Sequence, residues 1–138
     1  MPANTAPIFT LTPAVEWAHN VTAANTTSDG TSGTIYYVFT GGTNGSYLQK
    51  IRFRHTGTNS SATVARVWIN NGSANTVAAN NSLYDEITIA ANTVSQTAAA
   101  TNYELPLNFA INGGYTVFVT IGTAAAGGID VTLIGGDY

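Results

Sequence analysis

The chain has no cysteine among its 138 residues. That absence excludes a disulfide framework, a thiolate nucleophile and cysteine-ligated zinc. No staple is needed at this length, since a single domain of roughly 150 residues buries about two-thirds of the surface its unfolded chain exposes. Charge is scarce as well: Asp, Glu, Lys and Arg make up 8% of the residues, against about a quarter in ordinary soluble domains. The only cations are Lys50, Arg52, Arg54 and Arg66, and the formal net charge is −3. Nucleic-acid binders carry a basic excess that neutralises phosphates, so no nucleic-acid partner is expected. Long apolar runs are missing too. No stretch approaches the roughly 18 residues of a spanning helix, and residues 1–5 lack the basic-then-apolar pattern of a secretory signal. The expectation is a protein with no membrane partner and no glycan, the Asn20-Val21-Thr22 type of triplet being common by chance in so Asn- and Thr-rich a chain.

Helical periodicity is equally absent; Ala98-Ala99-Ala100 is the best fragment and is too short to stand alone. What the chain has instead is alternation at period two, punctuated by Gly and Asn clusters. It predicts strands over 15–23, 34–40, from Tyr47 onward, 62–71, 83–90, 102–109, 115–122 and 129–134. In the third, Ile51 and Phe53 take one face while Lys50, Arg52 and Arg54 take the other. Gly41-Gly42-Thr43-Asn44-Gly45 reads as a hairpin loop, and Asn112-Gly113-Gly114 as a second tight turn. Many short strands with glycine-rich turns indicate an all-β domain, an antiparallel jelly-roll-like β-sandwich of about eight strands. Its predicted core holds Ile51, Phe53, Val67, Ile69, Val117, Val119 and Leu133.

Residues 1–14 differ from the rest. Pro2, Pro7 and Pro13 fall there, around the apolar Ile8, Phe9 and Leu11. Proline fixes φ and removes ladder donors, so the segment reads as an extended arm or edge strand preceding a domain of residues 15–138. Ile8, Phe9 and Leu11 are candidate docking residues on that arm.

Reactive groups are sparse. His19 and His55 fall in separate strands, where a hydrogen-bonded histidine is the ordinary reading. Asp85 and Glu86 are adjacent and leave opposite faces of their strand. Asp29-Gly30 is turn chemistry, and Asp29, Asp130 and Asp137 stand too far apart in sequence for the clustered carboxylates of a tight calcium site. No catalytic residue, cofactor or metal is expected. Arg66 and Trp68, two apart on one strand face, form the remaining constellation. If the 50–54 strand lies beside them, Lys50, Arg52 and Arg54 join a basic-aromatic patch. Arg66 and Trp68 are then candidate interface residues, Trp and Arg being the residue types that dominate interface hot spots.

Asp29-Gly30-Thr31, Phe39-Thr40 through Asn44-Gly45-Ser46, Ile51-Arg52 and Arg66-Val67-Trp68-Ile69 carry a resemblance, extended by Gly113-Gly114-Tyr115 and Gly135-Gly136-Asp137-Tyr138. In these the chain resembles small virion structural proteins of tailed phages and prophages, some of them capsid decoration or cement proteins, over residues 15–138. The resemblance implies a non-enzymatic protein made in the host cytoplasm that binds the outside of the capsid. There it bridges neighbouring major capsid subunits as a homo-oligomer, a trimer slightly preferred over a dimer. The alternative is a carbohydrate-binding or adhesion module of a tail fibre or baseplate, with Tyr36, Tyr47, Tyr84 or Trp68 as its platform.

Overall fold

The structure is a computed structural model that describes residues 10–57 and 59–138. Eight strands form in chain order: β1 (Thr12–Val21), β2 (Tyr36–Thr40), β3 (Ser46–His55), β4 (Thr63–Asn70), β5 (Asn81–Ile89), β6 (Tyr103–Ile111), β7 (Thr116–Ile121) and β8 (Ile129–Asp137). A single 3₁₀ turn, Ala78–Asn80, precedes β5. Two four-stranded antiparallel sheets result, ordered β1-β8-β3-β6 and β2-β7-β4-β5. The pairing is nested: β1 with β8, β2 with β7, β3 with β6 and β4 with β5. Such nesting is what a long hairpin, bent at β4–β5, gives when rolled into two layers. The sandwich is therefore a jelly roll.

That topology corrects the reading of the glycine turns. Gly41-Gly42-Thr43-Asn44-Gly45 joins β2 and β3, which lie in different sheets, so it is a corner between layers and no hairpin. Asn112-Gly113-Gly114 is the expected tight turn, closed by the Tyr115 N–H donating to Asn112 O at 3.2 Å, and it too links strands of different sheets, β6 and β7. The two corners pack backbone on backbone: the Gly41 N–H donates to Tyr115 O at 2.8 Å and the Gly114 N–H to Gly41 O at 3.1 Å. A Cβ on Gly41 would lie 2.7 Å from Asn112 O, so glycine is required there by close approach.

Local irregularity is concentrated at the sheet margins. Each of the four edge strands carries one extra residue. Two residues, His19 and Asn20, oppose one between the Ala18↔Val131 and Val21↔Ile129 pairs, and Leu107 and Asn108 do the same opposite Gln49. Val38 and Tyr84 are the inserted residues on β2 and β5. Asn20 and Asn108 sit at φ 58° and 53°, which asparagine tolerates better than most residues. Bulges of this kind twist an edge and interrupt its ladder, which protects it from indiscriminate pairing.

The core lies between the sheets. Ile51, Phe53, Val67, Val117, Val119 and Leu133 are buried there, as their alternation predicts. Ile69 is the exception. It is half-buried, whereas its neighbours Trp68 and Asn70 are buried. Trp68 owes its burial to the β1–β2 connection, residues 22–35, which folds over the outer face of the second sheet. There Trp68 stacks on Phe118 at 5.9 Å and 5° between planes. A Cβ on Gly30, which has φ +70°, would meet Phe118 at 3.1 Å and Trp68 at 3.2 Å. Buried Asn25 organises this cover: its side-chain amide donates to Ser32 O at 2.7 Å and Thr34 O at 3.0 Å, while its N–H donates to Ile121 O at 2.7 Å. The second sheet is thus buried on both faces near its centre. The first keeps an open outer face.

β1 opens at Thr12, so the first sheet takes in the last three residues of the stretch read as an arm. Pro13 lies in that edge strand, where a missing N–H is tolerated. Ile8 and Phe9 lie outside the described residues.

Candidate interaction surface

The expected basic-aromatic patch does not form. β3 and β4 belong to different sheets, so Lys50, Arg52 and Arg54 sit on the outer face of the first sheet and Arg66 on the outer face of the second. The first group is also largely paired across β3–β6: Lys50 Nζ lies 3.2 Å from Glu104 Oε2, and Arg52 Nε donates to Glu104 Oε1 at 2.7 Å. Those hydrogen bonds, Arg52 first, hold the Glu104 carboxyl below its ordinary range. Arg66 Nε donates to Glu86 at 2.7 Å, tying β4 to β5. Trp68 is 2% exposed, and its indole N–H donates to Thr120 Oγ1 at 3.0 Å. A side chain so enclosed meets no outside partner. Arg66 and Trp68 instead hold the covering loop and the second sheet together.

His55 is buried, its Nε2 3.0 Å from Ala90 O. His19 pairs with Asp130 at 2.7 Å on the surface. Among the described residues no three His, Asp or Glu side chains converge on one point, and no helix is long and apolar enough to cross a membrane.

The exposed apolar groups gather elsewhere. β1 and β2 are the free edges of the two sheets and lie on the same side of the sandwich. Alternation along β1 turns Ala14 and Ala18 inward and leaves Val15 53% and Trp17 66% exposed. On the outer face of the second sheet Tyr37 is 54% exposed, its ring set edge-on to Phe118 at 6.0 Å. Val15, Glu16 and Trp17 on one lip and Tyr37, Val38, Phe39 and Thr40 on the other line a groove of about 470 Å³. The β2 bulge at Val38 lies within it, so the edge that would otherwise close on β1 bends away. Leu11, 70% exposed, extends the apolar strip along the β1 line; its N–H donates to Asp137 O at 2.8 Å. No family model, curated protein or solved structure matches the chain.

Glu16 is the one carboxylate lining the groove. Partial burial pushes its carboxyl above the ordinary glutamate range, the Thr40 N–H pulls the other way, and the Asp137 carboxylate adds a smaller upward push. A raised carboxyl favours the protonated folded state. Its stabilising contribution is present in acid and lost as pH rises through the folded value. Glu16→Gln keeps an oxygen for the Thr40 N–H and removes the charge. The variant is expected to melt above wild type at pH 7, with the two curves converging below about pH 4, where the unfolded glutamate is also protonated. Calorimetry across that range checks this; a gain that persists at pH 3 would contradict it.

Sequence reasoning placed Leu11 among the docking residues, and the structure puts it on the exposed strip. It missed Trp17 and Tyr37. Their signal was weak: Val15 and Trp17 alternate with Ala14, Glu16 and Ala18, a pattern that ordinarily turns the larger apolar side chains inward.

Proposed function

We propose that the protein is an assembly module of a tailed-phage particle, a decoration protein that binds the outside of the capsid and bridges neighbouring major capsid subunits. The observation that carries the assembly reading is the strip of Leu11, Val15 and Trp17, large apolar side chains left in water along an unpaired sheet edge. A contiguous exposed patch of this kind marks an interaction site, and Trp and Tyr are the residues that anchor interfaces. The resemblance over residues 15–138 supports the viral setting. Few surface charges oppose close packing of copies, and many weak contacts around a shell add through multivalency.

A second reading has its own support. Trp17, an exposed aromatic side chain on an open sheet face, also suits a sugar ring, so a carbohydrate-binding or adhesion role in a tail fibre or baseplate is the alternative. Quantitative mass spectrometry of purified particles separates the two. Decoration predicts on the order of hundreds of copies per particle, the multiplicity on which avidity rests. A handful of copies supports the fibre role, and no copies at all removes both.

A further inference from the structure

From the outer face of the first sheet we infer a two-fold dimer in which this face packs on the same face of a second copy. The inference rests on the assembly reading of the β1 strip and states what covers it. Residues paired across a ladder point to the same side, so the register sorts the face into rows. One row runs Val15, Ile134, Lys50, Pro106 from β1 to β6, and the next runs Trp17, Thr132, Arg52, Glu104. Beyond them Asp130 on β8 lies beside Arg54 on β3. Three of the chain's four cations stand on this face, all on β3.

Two symmetric arrangements are open to such a face. With the axis running across the strands, β3 crosses the partner's β3 and its three cations meet their own copies, which repel. With the axis parallel to the strands, between β8 and β3, each row meets itself reversed and β8 lies over the partner's β3. Charge selects this second arrangement, because Asp130 then faces the partner's Arg54, and symmetry repeats the contact. Both groups have capacity for it. Arg54 turns toward Asn102 Oδ1 at 3.3 Å and forms no ion pair among the described residues. His19 Nδ1 at 2.7 Å and the Asn20 N–H at 3.0 Å both engage Asp130 Oδ1, which leaves Oδ2 for a guanidinium. At the ends of the rows Val15 meets the partner's Pro106. Trp17 meets the partner's Arg52–Glu104 pair, where a guanidinium fixed by a carboxylate offers its flat side to the indole. Four strands about 4.8 Å apart and about nine residues long make a face of roughly 19 Å by 30 Å, the size of a weak interface.

Two charge variants of the full chain test the geometry. Arg54→Glu sets a carboxylate against the partner's Asp130, and Asp130→Lys sets an ammonium against the partner's Arg54. Each alone is expected to dimerise roughly tenfold or more weaker than wild type by sedimentation. An equimolar mixture of the two should recover wild-type-like affinity, because both facing pairs are again opposite in sign; mixing repairs no fold. Asp130→Lys also loses the Asn20 N–H bond, so a second measurement does without it. Tagged Val15→Cys chains are mixed with Pro106→Cys chains and a bismaleimide of about 10 Å reach, the spacing of facing sheets; no native cysteine competes. The mixed product should form roughly ten- to a hundredfold faster than one between Val15→Cys and Leu83→Cys, on the outer face of the second sheet. Folded variants that dimerise like wild type or fail to recover on mixing overturn the inference, and so does cross-linking at the control rate. Particle counts do not depend on which rows face each other. Abundant copies without recovery on mixing therefore sink the face-to-face dimer and leave the assembly reading standing.

Discussion

Replacing Val67 with aspartate is expected to leave no cooperatively folded protein at room temperature. Val67 is 1% exposed at the centre of β4, flanked by Asp85 on β5 and Val119 on β7 in the ladder and facing the sandwich core. No cation reaches that position, since Arg66 points to the opposite face and is held by Glu86. The carboxylate must either stay ionised in apolar surroundings, at a cost of several kcal/mol, or take up a proton and still lack a hydrogen-bond partner. The lost valine burial adds about 1.5–3 kcal/mol. A domain has only about 5–15 kcal/mol in all. Urea titration followed by far-ultraviolet circular dichroism should show no unfolding transition, or one shifted to very low urea. A wild-type midpoint would mean that β4 runs in the other register.

Trp68→Ala should be the next most damaging change, in a more local way. The indole is buried beneath residues 22–35, stacked on Phe118 and bonded to Thr120. Truncating such a side chain costs about 3–5 kcal/mol, and the Thr120 hydroxyl, 1% exposed as a residue, loses its indole donor. The cover rests on that ring through Gly30. It should therefore detach before the sandwich opens, and amide exchange should accelerate most at residues 22–35 and Ile121, whose carbonyl holds Asn25. Uniform acceleration throughout both sheets would show that the loop is no separate unit. Trp68→Phe restores most of the apolar contact but not the hydrogen bond, and should recover more than half of the lost stability.

What was legible in the sequence follows from the range of the forces involved. Alternation is a local property, so Ile51 and Phe53 were assignable to the core and Lys50, Arg52 and Arg54 to the surface from neighbouring residues alone. The number of strands was legible for the same reason. Sheet membership was not. Gly41 to Gly45 has the composition of a hairpin, but β2 pairs with β7 and β3 with β8 and β6, and no local signal separates a hairpin from a corner between layers. The expected patch of Arg66 with Lys50, Arg52 and Arg54 depended on β3 lying beside β4, which local sequence equally leaves open, and the two strands fall in different sheets. Trp68 was misplaced because a strand's outer face was taken to be wet, and the covering loop is a tertiary event. Trp17 was missed for the converse reason. It lies at a sheet edge whose outer face nothing in the described chain covers, and burial at an edge depends on a neighbour that periodicity does not report.

The central claim is that the Leu11–Val15–Trp17 strip on the β1 edge is where copies of this protein assemble. Sedimentation velocity of the full chain against its Trp17→Asp variant, at tens of micromolar where weak self-association is visible, tests it most directly. Trp17 is two-thirds exposed, so the substitution should leave the melting temperature nearly unchanged. The account predicts an oligomer for the wild type and a monomer for the variant. A wild type that sediments only as a monomer, or a variant that assembles as fully as wild type, would contradict it.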